Sequence, residues 1–261
     1  MGIGIQSTLT YRVNFLLRCV FGLIPLMGTI YLWRAVYGGN TAKSDVAGYS
    51  LAGMTSYYLL VTIVDALTAV TEDDWQIAAD IKDGNISQFL LKPIDFLTYR
   101  LCLFFAGRLV YTAVAAVPLA LFIFWLRRYW VWPAGWTTLG LSLFSLMLTG
   151  FLQFFVSYTL ALLAFWVMEV STFIFMAFAF EYIAGGHLFP LNILPPFWEN
   201  ALYYTPFPYL LYFPVSIYLG QTKSGQVLHG LVMQAAWVLA AYGAARFVWG
   251  RGIRKYAAAG G

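Results

Sequence analysis

The chain has 261 residues, 61% of them hydrophobic and only 10% charged, and a mean hydropathy of +0.74. Soluble domains carry roughly 25% charged residues, so these values exclude a soluble domain and define an integral membrane protein. The net charge of +4 is small and its basic residues are scattered, which excludes a nucleic-acid-binding stripe.

Residues 3 to 16 place Ile5, Leu9, Val13 and Leu16 at helical spacing, which predicts an N-terminal interfacial helix. The start lacks the basic region and cleavage site of a signal peptide, so the first apolar run is expected to stay as an anchor. That run, about Phe15 to Tyr37, is the first predicted span. The second runs from about Tyr49 to Thr71 and contains Asp65.

Between the second and third spans lies a polar island, Glu72 to Arg100, with nine of the chain's 26 Asp, Glu, Lys and Arg residues. Its first part, DDWQIAADIKDG, reads as a helix with acids in the first turn, Ile77 and Ile81 four apart, and Gly84 placed to stop it. Then Phe89, Leu90 and Leu91 stand together before Lys92 and Pro93. Such an apolar run either lies on the membrane surface or plugs into a groove on a cytosolic protein.

The third span, Leu101 to Leu126, carries Arg108 and ends at Tyr129, Trp130, Trp132 and Trp136, an interfacial aromatic belt. A fourth is expected from about Thr137 to Phe165. A fifth starts near Val170, contains Glu181 and breaks at Gly185 and Gly186. The next stretch holds six of the ten prolines within residues 190 to 214, so it predicts short broken helices that dip into one leaflet and return. Gly185, Gly186, His187, Phe189, Pro190, Pro195 and Pro196 mark its beginning. The sixth span is expected from about Gln226 to Trp249.

The expected fold is therefore an all-α polytopic membrane protein: a single transmembrane domain over 1–261, with a cytosolic segment at 72–100 and an outer re-entrant segment at 185–220. Ten Lys and Arg fall on the side of the termini and five on the other, which puts both termini and the polar island in the cytosol. Cys19 and Cys102 have no second Cys or His at ligand spacing and read as small buried hydrophobes.

Asp65 lies seven residues before Glu72 and Arg108 eight after Arg100, so helical rise puts each roughly 10 to 12 Å from the same boundary. An Asp65–Arg108 ion pair joining two spans is expected; a polar lining for a translocation path, or a latch, is the alternative. Glu181 either caps the amides freed at the glycine break or contacts substrate. His187 is six residues beyond it with the glycine pair between, and no metal site is expected there. Ala236, Ala240 and Ala244 give small-xxx-small spacing that serves packing within the chain or dimerisation.

The acidic helix, the DG turn and the run SQFLLKPID resemble the region after the second membrane helix of type-2 ATP-binding-cassette (ABC) exporter permeases. LTYRVNFLL ahead of the first span fits that family's pattern, as does IAGGHLFPLNILPPFWENALYYTPFPYLLYFPVSIYLG before the last. The resemblance covers the whole chain and implies a permease subunit of a prokaryotic cytoplasmic (inner) membrane. It also implies two cytosolic ABC ATPase subunits carrying ATP and Mg, and a second permease copy or paralogue as homo- or heterodimer. The coupling contact it implies is Asp80, Lys82, Asp83, Gly84, Asn85, Phe89, Leu90, Leu91, Lys92 and Pro93, and the 185–220 segment becomes the outer gate. Independently, no GxxxxGK[ST] loop surrounds any of the five lysines, so ATP-driven work needs a partner. No activated nucleophile is visible, and no enzyme activity is expected. The alternative is a scaffold or sensor that docks a cytosolic partner without transport.

Overall fold

Backbone in hydrocarbon must satisfy its own N–H and C=O groups, which an apolar chain does by forming helices. The computed structural model describes residues 21–38, 45–70, 73–91 and 93–259, and among these the regular secondary structure is all helical, apart from one isolated bridge, Val46 with Tyr49. The expected interfacial helix at residues 3–16, together with Cys19 and Lys92, lies outside the described residues.

Six principal apolar helices follow in order. They are α1 (Phe21–Val36), α2 (Leu51–Thr68), α5 (Phe96–Trp125), α6 (Trp136–Ala161, prolonged by a 3₁₀ turn to Phe165), α7 (Ser171–Ala184) and α10 (Ser224–Ala259). Two short helices, α3 (Asp73–Lys82) and α4 (Ile86–Leu90), join α2 to α5. Between α7 and α10 the chain is broken into 3₁₀ turns at Leu191–Ile193 and Phe207–Leu210 and helices α8 (Pro196–Tyr203) and α9 (Tyr212–Tyr218).

Among the described residues four segments are long and apolar enough to cross a membrane: Leu51–Thr68, Phe96–Trp125, Trp136–Phe165 and Gly225–Tyr256. The 14 residues of α7 rise about 21 Å, short of a hydrocarbon core of about 30 Å. Each of the six expected spans thus falls on a helix, four of them with spanning length.

Three apolar cores hold these helices. Met54, Tyr57 and Leu59 of α2 pack with Leu191, Tyr212 and Val215. Leu152 of α6 meets Tyr209, Phe213 and Leu231. At the other end Ile77, Ile81 and Ile86 of the short helices meet Phe96, Phe154, Phe165 and Ala245.

The long helix α10 reaches from the second core to the third, and glycines let it approach closely at both. A Cβ on Gly230 would lie 2.3 Å from the Phe213 ring, and one on Gly252 2.2 Å from the Phe165 ring. Phe213 is fully buried and has nowhere to move. Gly230→Ala is therefore expected to lower stability by about 1–3 kcal/mol through overpacking. Gly243→Ala, where a Cβ meets nothing within 4 Å, should gain up to about 1 kcal/mol from helix propensity. Thermal unfolding of the two variants in detergent distinguishes them.

Cys102 is not a buried hydrophobe. It is free and exposed, because α5 turns only a narrow stripe, including Phe104, Arg108 and Ala115, toward the other helices.

Candidate functional site

The polar island folds into a hairpin of α3 and α4 that packs back on the bundle. Gly84 makes the turn at φ +77°, a left-handed conformation that favours glycine. Its carbonyl accepts hydrogen bonds from Ser87 Oγ at 2.7 Å and from Tyr256 Oη of α10 at 3.0 Å. Ile77 and Ile81 face inward one helical turn apart, and Asp80 forms an ion pair with the buried Arg100 of α5, whose guanidinium also stands over the Phe96 ring. At the start of α5, Asp95 caps the helix through Thr98 N and takes two hydrogen bonds from Arg246 of α10, at 2.5 and 3.1 Å. Burial raises the Asp95 pKa, but the bonds from Arg246 and Thr98 outweigh it and hold the carboxyl below its usual range.

The expected coupling residues divide into two groups. Asp80 and Gly84 are engaged inside the protein, and the Phe89 ring packs edge-on against Phe96 and tilted against Tyr99, each at 5.3 Å. Lys82, Asp83, Asn85, Leu91 and Pro93 point outward, with Leu91 88% exposed. The apolar run Phe89–Leu91 is thus split, because residues two apart on a helical turn point about 200° apart. The Leu90 side chain and Lys92 lie outside the described residues.

A second constellation sits between the helices. A cavity of about 350 Å³ is walled by Asp65 and Thr62 of α2, Arg108 and Tyr111 of α5, Gln153 of α6, Phe178, Glu181 and Tyr182 of α7, and His187. The three expected intramembrane polar residues therefore share one wall. The expected Asp65–Arg108 pair is corrected: among the described residues the Asp65 carboxylate meets His187 Nε2 at 3.1 Å. Arg108 instead stands over the Tyr111 ring, its carbon 5.1 Å from the centroid. Glu181 accepts from Gln153 Nε2 at 3.0 Å, and Tyr182 stacks on the His187 ring at 5.2 Å.

Asp65 is also deeper than helical counting gives. Thr112 Oγ1 donates to Ala66 O, which levels Asp65 with a point roughly 18 Å along α5 from Arg100. The reason is local: α2 ends at Thr68 and Ala69 is already extended, so the helical rise used in the count does not continue past Thr68.

The glycine break positions His187. Gly186 has φ +94°; its carbonyl accepts from Tyr57 Oη at 2.6 Å, while the Gly185 carbonyl accepts from Tyr212 N at 3.0 Å. Tyr58 Oη donates to Leu188 O at 2.8 Å and itself accepts from Trp33 Nε1 at 2.9 Å. Phe189 is half-buried and Pro190 buried, opening the first 3₁₀ turn, while the exposed Pro195 and Pro196 start α8.

Sequence reasoning missed Gln153 and Gln234. Gln234 is fully buried, accepts from Ser145 Oγ, and donates to Ser145 O, Thr149 Oγ1 and Tyr209 O. Each is an amide in an apolar segment, where an unpartnered polar group costs about 1–3 kcal/mol, and that cost was the available signal.

Helices of spanning length and hydropathy around an internal polar cavity define a helical membrane protein. Residues 23–260 match the family model described as ABC-2 family transporter protein, and the chain belongs to that family, a membrane component of ABC transporters. No curated protein and no solved structure matches the chain.

Proposed function

We propose that the chain is the permease subunit of an ATP-driven exporter, moving a substrate from the cytosol or inner leaflet outward. In this reading all six apolar helices cross a prokaryotic cytoplasmic membrane, both termini are cytosolic, and the 185–220 segment forms the outer gate. A second copy or paralogue completes the membrane core, and two separate cytosolic ABC ATPases bind ATP and Mg and supply the work.

The observation that carries the reading is the exposed end of the hairpin. An 88% exposed leucine ends α4, in a hairpin held to the bundle by Tyr256 and by the Asp80–Arg100 pair. An apolar side chain kept in water on a stiff support is a docking feature. The Lys and Arg distribution supports placing that tip in the cytosol.

ATP binding would draw the two ATPases together and press on the tips, and the shift would pass through the hairpin to α5, α6 and α10, against which it packs. Leu91→Asp is expected to leave thermal stability within about 0.5 kcal/mol, as for other exposed positions. The same change should abolish co-purification of a phosphate-loop ATPase. Normal ATPase recovery with this variant would remove the coupling role from the tip.

A further inference from the structure

The polar cavity is one of three spaces that share lining residues. A groove of about 630 Å³ lies between α3 and α7, lined by Val70, Trp75, Ser171, Ile174, Phe175 and Phe178. A neck of about 40 Å³ follows, with Val70, Ile174 and Phe178 on its wall together with Gln153 and Glu181. Those last two residues also line the central cavity. Phe178 borders all three spaces, so its ring stands where the apolar groove passes into the polar chamber.

Chemistry changes along this route. The groove is walled mainly by aromatic and branched aliphatic side chains and lies beside the start of α7. The chamber carries Gln153 Oε1, a buried atom without a partner among the described residues, on a side chain that is only 8% exposed. An amide oxygen only accepts. The chamber therefore asks for a hydrogen-bond donor, and the groove asks for a hydrocarbon chain.

We infer that the three spaces form one binding site for an inner-leaflet amphiphile. Its hydroxyl- or amino-bearing head occupies the chamber at Gln153, and its chain lies past Phe178 in the groove between α3 and α7. The inference rests on the exporter reading and gives it a substrate class and a lateral route.

The test uses the full chain, with any ATPase that accompanies it, in phosphatidylcholine nanodiscs, whose headgroups carry no donor. The probe is a monoacylglycerol with a photoreactive diazirine in its chain. Labelling is expected on residues 70–75 and 171–178. Unlabelled 1-oleoylglycerol should compete about ten-fold better than methyl oleate, which has the same chain and no donor. Gln153→Leu should erase that preference. Phe178→Trp, which narrows the neck and leaves Gln153 in place, should reduce labelling of both segments. Labelling spread evenly over the outward faces of α5 and α10, equal competition by the two oleates, or unchanged labelling of Phe178→Trp would each mean annular lipid only and overturn the inference. If the ATPase still co-purifies in that case, the exporter reading stands alone; specific labelling without an ATPase removes the exporter reading and keeps the site.

Discussion

Replacing Arg100 with leucine is expected to lower stability by about 3–5 kcal/mol, the cost of stranding one member of a buried ion pair. Arg100 is 3% exposed and its partner Asp80 19%, so the carboxylate left behind has little water to return to. The loss should concentrate on the hairpin, where Asp80 shares a helix with Ile77 and Ile81, and should release amide protection across residues 73–91. The double variant Asp80→Leu/Arg100→Leu separates the pair from mere packing. Removing both charges should recover most of the stability, since an apolar pair of similar volume is often as stable as the ions it replaces. Thermal unfolding together with hydrogen exchange reads both effects, and a double variant as unstable as the single would rule out the pair as the hairpin's anchor.

Gly186→Ala should cost about 2–5 kcal/mol from two additive sources. A side chain at φ +94° pays about 1–2 kcal/mol for its backbone conformation. The added Cβ would also lie 2.7 Å from Tyr57 Oη and 3.1 Å from Tyr212 Cβ, both on buried side chains, which adds about 1–3 kcal/mol of overpacking. Relief requires Tyr57 to give up its bond to the Gly186 carbonyl, which loosens the chain that carries His187 to Asp65. Tyr57→Phe removes that hydrogen bond without adding volume and should cost about 0.5–1.5 kcal/mol. Unfolding midpoints that fall in the order wild type, Tyr57→Phe, Gly186→Ala would bear this out; a neutral Gly186→Ala would place the break under no strain.

Much of the scaffold was legible because its signals are local. Uncharged runs gave the helices, the DG sequence gave the turn at Gly84, and the crowded prolines gave the broken stretch after α7. What stayed hidden depends on pairings across the chain. Ile77 and Ile81 were read as one face, but Asp80 meeting Arg100 requires the hairpin to fold back onto α5. Asp65 and Arg108 were matched by charge, whereas Asp65 reaches His187, 122 residues away, because the end of α2 lies against Thr112 midway along α5. Counting residues at helical rise could not reveal this, since the helix stops at Thr68 and Ala69 is already extended. Cys102 was misplaced for a related reason: an apolar helix of 30 residues does not announce which narrow stripe it buries.

Gln234 fixes α10 close to one of its ends. Its four hydrogen bonds to α6 and to Tyr209 lie roughly 6 Å along the axis from the Gly230–Phe213 contact, but roughly 33 Å from Tyr256. Treated as a stiff rod turning on that pin, α10 is a lever with arms of about one to five or six. A displacement of about 3 Å at Tyr256 reaches Phe213 as about 0.5 Å, with the force multiplied in the same ratio. On the proposed exporter reading, a broad stroke at the hairpin would arrive under α9 as a short, strong push.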